Sequence, residues 1–82
     1  MHYTYPVPTL QRFADCRVVM YLDDHPPPHV HVLLRSGRDC IVDIATMQIS
    51  GKVAEREIRE ALVWIERERA FLLSEWSRCT HE

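Results

Sequence analysis

"HVHVLLRSGRDCIVDI" (His29–Ile44) is the stretch whose reading decides the fold. Two runs rich in β-branched and apolar residues flank Ser-Gly-Arg, the composition of two strands and a turn. Gly37 supplies a residue that tolerates positive φ. Alternate residues on a strand share a face. Val30, Val32, Leu34, Cys40, Val42 and Ile44 therefore make one apolar face. His29, His31, Leu33, Arg35, Asp39, Ile41 and Asp43 make the other. Matching the faces across the hairpin calls for a three-residue loop at Ser36–Arg38. That loop sets Asp43 opposite His31 and brings Tyr21 near His29.

The pattern continues outward. "RVVMYL" (Arg17–Leu22) reads as a strand that adds Val18, Met20 and Leu22 to the apolar face. Arg17, Val19 and Tyr21 fall on the opposite face, which one helix cannot also cover. "QIS" (Gln48–Ser50) is a short further strand, closed by Gly51. Pro6 and Pro8 bias residues 1–12 toward an extended arm. From Ala54 to Cys79 there is no Pro or Gly, and pairs such as Glu55–Arg59 and Arg56–Glu60 recur at i,i+4. Ile58, Leu62, Ile65, Leu72 and Trp76 share one helical face, with Arg69 in its middle. The expectation is an α+β fold: a small antiparallel sheet of three to four strands followed by one long C-terminal helix packed on one face. It is read as one domain, with an arm over 1–12, the sheet over 13–52 and the helix over 53–80. Such a helix spans roughly 39 Å, against about 20–23 Å for the strands. It must overhang the sheet or bend near Glu66–Arg69.

Composition narrows the function classes. The chain has 82 residues, of which 46% are hydrophobic and 27% charged, with a formal net charge of −2. That balance makes nucleic acid a less favoured partner, because such affinity comes from Lys and Arg neutralising phosphates. Cys16, Cys40 and Cys79 are odd in number and without C-x-x-C spacing, which argues against a disulfide framework or a thiolate zinc knuckle. The N-terminus lacks the pattern of a signal peptide, and no run approaches a membrane span. A cytoplasmic location is expected, with no membrane partner.

"DDHPPPHVHV" (Asp23–Val32) gathers three of the five histidines behind three consecutive prolines. The prolines fix three φ angles and remove three donors. The stiff loop they make suits either a sheet corner or a preorganised site. His29 and His31 at i,i+2 put two imidazoles on one face, roughly 6.5–7 Å apart. They are half of a metal site, and His25, Asp23, Asp24 or Asp43 could complete it with the ligand mixture that zinc or a similar divalent ion accepts. The candidate metal set is His25, His29, His31 and Asp43. A metal-free alternative pairs His29 and His31 as acid and base with Tyr21, and with Arg17 or Arg35 over a phosphoryl charge.

"DHPPPHVHV", the Gly-containing hairpin, the "I-x-x-x-x-I-x-G" segment at Ile44–Gly51 and the helical ending "LL-x-x-W" together resemble a family of small bacterial proteins, domain of unknown function 4160. The likeness runs from about Phe13 to Trp76. It rests on Pro27, Pro28, His29, His31 and Val32, and on Arg69, Leu72, Leu73 and Trp76. It implies a component of a toxin–antitoxin pair, encoded beside a small antitoxin-like or DNA-binding partner. This chain departs from the pattern with a longer hairpin carrying Leu33 and Leu34, with Ala45–Thr46–Met47 in place of a Thr-Gly turn, and with Ala70 and Phe71 at acidic positions. The partner surface is thereby more apolar, so the choice of partner does not carry over. The expected function is a toxin-like interaction protein acting through the face of His29 and His31, with an antitoxin-like partner or a second copy of itself. The alternative is a metal- or phosphate-dependent hydrolase, a ribonuclease included, using the same histidines.

Overall fold

The computed structural model describes residues 9–80. Five strands form an antiparallel sheet in chain order: β1 (Thr9–Arg12), β2 (Cys16–Val19), β3 (His29–Leu34), β4 (Asp39–Asp43) and β5 (Ile49–Ser50). A single 3-10 turn (Glu55–Ile58) leads into α1 (Arg59–Arg67), and α2 (Arg69–Thr80) follows. The architecture is α+β as expected, but with five strands and a helix pair. The extra strand comes from the end of the expected arm, Thr9–Arg12. The rest of that arm, residues 1–8, lies outside the described residues.

The helix divides where its length required. Glu68 leaves helical geometry (φ −100, ψ 23) between α1 and α2. Arg69, the cation on the apolar face, explains how the chain resumes there: its Nε donates to the Ile44 carbonyl at 2.8 Å, just past the end of β4. Beyond the break, Leu72 and Trp76 are both buried.

The core lies between one sheet face and the helices. Val18, Met20, Val30, Val32, Val42 and Ile44 pack against Ile58, Ala61, Ile65 and Leu72. Each buried aliphatic side chain contributes roughly 1.5–3 kcal/mol. Val30 and Val32 are fully buried, as the alternation predicts. Leu22, expected in this core, is exposed instead. β2 stops at Val19, and period-two alternation has no hold on residues beyond the strand.

The β3–β4 ladder is displaced from the expected register. Leu34 N donates to Arg38 O and Gly37 N to Leu34 O, so the loop is Arg35–Ser36–Gly37. His29 consequently faces Asp43, and His31 faces Ile41 on one side and Val19 on the other. The displacement is two residues, so every side chain keeps its expected face. Glu57 then ties the hairpin to the helices: its carboxylate accepts from the Ala54 N–H and from the Arg38 guanidinium. The Arg38 contact, followed by the backbone hydrogen bond, holds the Glu57 carboxyl down at about 2.

Candidate metal centre

The site begins with a turn. Asp23 adopts φ 56, a left-handed conformation that aspartate tolerates better than most residues. Its N–H donates to the Cys79 carbonyl at 2.9 Å, clasping the loop to the end of α2. The turn sends Asp24 back toward the sheet, and the Pro26–Pro28 segment then leads into β3. At its far end the Pro28 carbonyl accepts from Ile44 N at 3.1 Å.

Three side chains converge beneath this loop. One oxygen of Asp24, Oδ2, lies 2.8 Å from His29 Nε2 and 3.1 Å from His31 Nε2. These three atoms are all within 4.8 Å of one another. The other ring nitrogen of His29, Nδ1, is 2.8 Å from the Pro27 carbonyl. A carbonyl only accepts, so Nδ1 carries a proton. In the neutral ring Nε2 is then left with its lone pair directed at Asp24 and His31. Without a cation among these atoms, the contact to the Asp24 carboxylate needs a second proton on the same ring.

The surroundings hold the rings in place. Trp76 of α2 lies over His29, with ring centroids 5.0 Å apart, and Tyr21 meets His31 edge-on at 4.4 Å. His29 is buried, although its face was expected to be exposed, and so is Val19 on the same face. Burial works to raise the Asp24 pKa. Hydrogen bonds from His31, from the His25 backbone N–H and from His29 outweigh it, and the carboxyl is held down at about 2. Asp24 is therefore an anion at any physiological pH.

The remaining sequence candidates occupy other positions. His25 is almost fully exposed, with Nδ1 3.2 Å from the outer Asp24 oxygen. Asp43 lies opposite His29 across the ladder, but its Oδ1 accepts from the N–H groups of Ala45 and Thr46. The Thr46 hydrogen bond is the leading reason its carboxyl titrates below the usual range. Arg17 donates to the Thr9 hydroxyl at 2.9 Å, and Arg35 is exposed in the hairpin loop. Tyr21, expected beside His29, is beside His31: the β2–β3 register would set it opposite His29, but β2 ends at Val19 and Tyr21 lies past the ladder. Trp76 was read from sequence only as a core or interface residue; its place on the helix face gives no sign that it meets His29.

The triad opens onto a cleft of about 400 Å³ between the proline loop and the ends of β4 and β5, lined also by His25, Ile41, Asp43, Gln48 and Ser50. The donor set fits a zinc-like ion. Ligands at about 2.0–2.1 Å in a tetrahedron lie roughly 3.3 Å from one another, close to the two Asp24 spacings of 2.8 and 3.1 Å, and His₂-carboxylate sites leave a fourth position for water or substrate. The Pro27 carbonyl on Nδ1 is the partner that metal-bound histidines ordinarily have.

Among the described residues no helix is long and apolar enough to cross a membrane. No curated protein and no solved structure matches the chain. A family model does: the domain of unknown function DUF4160 matches residues 16–77, a span that holds the loop, Asp24, His29, His31 and the helical ending through Trp76. By that match over most of its length, the chain belongs to the DUF4160 family.

Proposed function

We propose that this protein binds a divalent ion of the zinc class at Asp24, His29 and His31 and uses it for metal-assisted hydrolysis. The observation that carries this reading is the His29 ring. Its Nδ1 is committed to the Pro27 carbonyl, and its Nε2 faces two further ligand atoms. The first contact selects the tautomer that a metal needs, and the second puts the metal-binding nitrogen beside an anionic ligand. A bound ion would lower the pKa of a water in its open position and supply the nucleophile. The exposed His25, at the rim of the cleft, is placed to carry protons between that water and solvent. Toxin-like action in the cytoplasm, held in check by an antitoxin-like partner, is the setting that the likeness to DUF4160 proteins suggests.

The convergence of Asp24, His29 and His31 on the cleft favours a site over a docking surface for a protein. A partner would instead sit on the helices, where Val63, Phe71 and Leu73 expose large apolar side chains. That placement supports the second reading, an interaction module.

Cobalt(II) titration with visible absorption, read beside Trp76 fluorescence, tests the proposal. One equivalent should bind with tetrahedral d–d bands and alter the emission of the indole next to His29. His31→Gln should weaken binding by more than the about 10–100-fold that follows loss of a supporting partner. Growth arrest on expression, relieved by the neighbouring gene, should vanish in a His29→Gln/His31→Gln variant that still melts near the wild-type temperature. An absence of stoichiometric binding at micromolar metal would overturn the metal reading. A large fall in Tm, with arrest following only the amount of folded protein, would make the histidines packing groups of the proline corner.

A further inference from the structure

Two arginines lie on the sheet face of the metal site and a third in the hairpin loop beside them, and the proposed hydrolysis gives them no role so far. Arg12 of β1 and Arg17 of β2 are directly paired across the ladder. Arg35 follows β3 into the hairpin loop, its N–H donating to the Asp15 carbonyl. All three line one cleft of about 360 Å³ at the hairpin end of the sheet. Like charges facing each other across two strands destabilise a sheet. Arg38, Arg67 and Arg78 each have a carboxylate partner. Among the described residues none of Arg12, Arg17 and Arg35 has one, and the one side-chain hydrogen bond among them is that of Arg17 to Thr9. Arg17 faces Leu33, two residues along β3 from His31 and on the same face. The Arg12–Arg17 pair is therefore offset from His31 by roughly 6.6 Å along the strand, comparable to the separation of successive phosphates in an extended nucleic-acid strand.

We infer that Arg12, Arg17 and Arg35 bind a backbone phosphate of a single-stranded nucleic acid whose neighbouring phosphodiester reaches the metal centre. The inference rests on the hydrolase reading and names its substrate class. Guanidinium forks match phosphate oxygens in pairs, and a phosphate between Arg12 and Arg17 turns their mutual repulsion into shared attraction. The overall charge of −2 does not oppose this, because a ligand in the cleft meets these three arginines at close range. In the step itself, the metal-bound hydroxide forms the new P–O bond and the P–O bond to the leaving sugar oxygen breaks. The leaving oxygen takes a proton from His25 or solvent. No oxidant or further reactant is involved.

Fluorescence anisotropy of a labelled single-stranded RNA 12-mer tests the inference, first in EDTA and then with zinc. Binding in EDTA should weaken with salt with a log–log slope of about −0.7, from one neutralised phosphate on a single strand. Arg12→Gln/Arg17→Gln should weaken it more than tenfold and bring the slope close to zero. The same variant should keep its cobalt spectrum and melt no lower than wild type, since a like-charge pair has been removed. Arg56→Gln/Arg67→Gln deletes the same charge on the helical side and should change affinity by less than threefold. Equal weakening by the two double variants would overturn the site, as would affinity for inorganic phosphate or a mononucleotide with none for the 12-mer. Loss of the cobalt spectrum with the arginine effect intact would sink the metal reading alone.

Discussion

At Asp24 a single carboxylate oxygen serves two imidazoles, while the second oxygen accepts from the His25 backbone N–H. Asp24→Asn keeps the shape, removes the charge and replaces one oxygen with a donor. Metal affinity should fall by more than about 100-fold, because the anionic ligand is lost. The variant also has a pH signature. The carboxyl is depressed in the fold from 3.8 to about 2. Its stabilising effect is therefore full above about pH 4 and disappears as pH falls through 2. Wild type and variant should differ most in melting temperature near neutrality and converge toward pH 2. A constant difference across that range would contradict the assignment. His29 and His31 were legible as a pair because i,i+2 spacing on a strand fixes their common face. Asp24 was one of several candidate ligands, since only the left-handed turn at Asp23 decides which acidic side chain returns to the sheet.

At the level of elements, Gly51 controls how the sheet gives way to the helices. It has φ +133, and a Cβ there would lie 3.0 Å from the Cys40 Cβ and 3.2 Å from the Asp39 carbonyl. Gly51→Ala combines a strained backbone with a contact against a packed strand. It should cost about 1–3 kcal/mol, lowering Tm by roughly 5–15 °C in a chain of this size; an unchanged melt would contradict the geometry. The two sheet faces were legible because an even shift in register leaves alternation untouched. The register itself was not, because the hydrogen bonds between Leu34 and Arg38 choose the loop and composition does not. Length against sheet width called for an overhang or a bend near Glu66–Arg69, and the helix breaks within that stretch. The contact beside it, Arg69 to the Ile44 carbonyl, joins distant parts of the chain and has no sign in the local sequence.

For the whole molecule, the exposed apolar side chains test association. Trp76 finds its place within the chain, against His29, so the case for a partner rests on Leu22, Val63, Phe71 and Leu73. Light scattering over a concentration series should show a mass above that of one chain, and Phe71→Asp/Leu73→Asp should return it to the monomer with little change in Tm. A monomer at every concentration would remove self-association and leave only a different protein as occupant. The strand order supplies a further consequence. Each strand pairs with the next in the chain, so the sheet forms from successive hairpins, the longest connection being the nine residues between β2 and β3, and only the helix return joins distant segments. Chains whose contacts are mostly local lose little loop entropy before contacts form, and mixed folds of this kind refold faster than β-sandwiches. Stopped-flow refolding followed by tryptophan emission should accordingly show a main phase of milliseconds to tens of milliseconds. A newly made copy would gather its metal ligands only once α2 has docked, because the Cys79 carbonyl holds the loop and Trp76 holds the His29 ring.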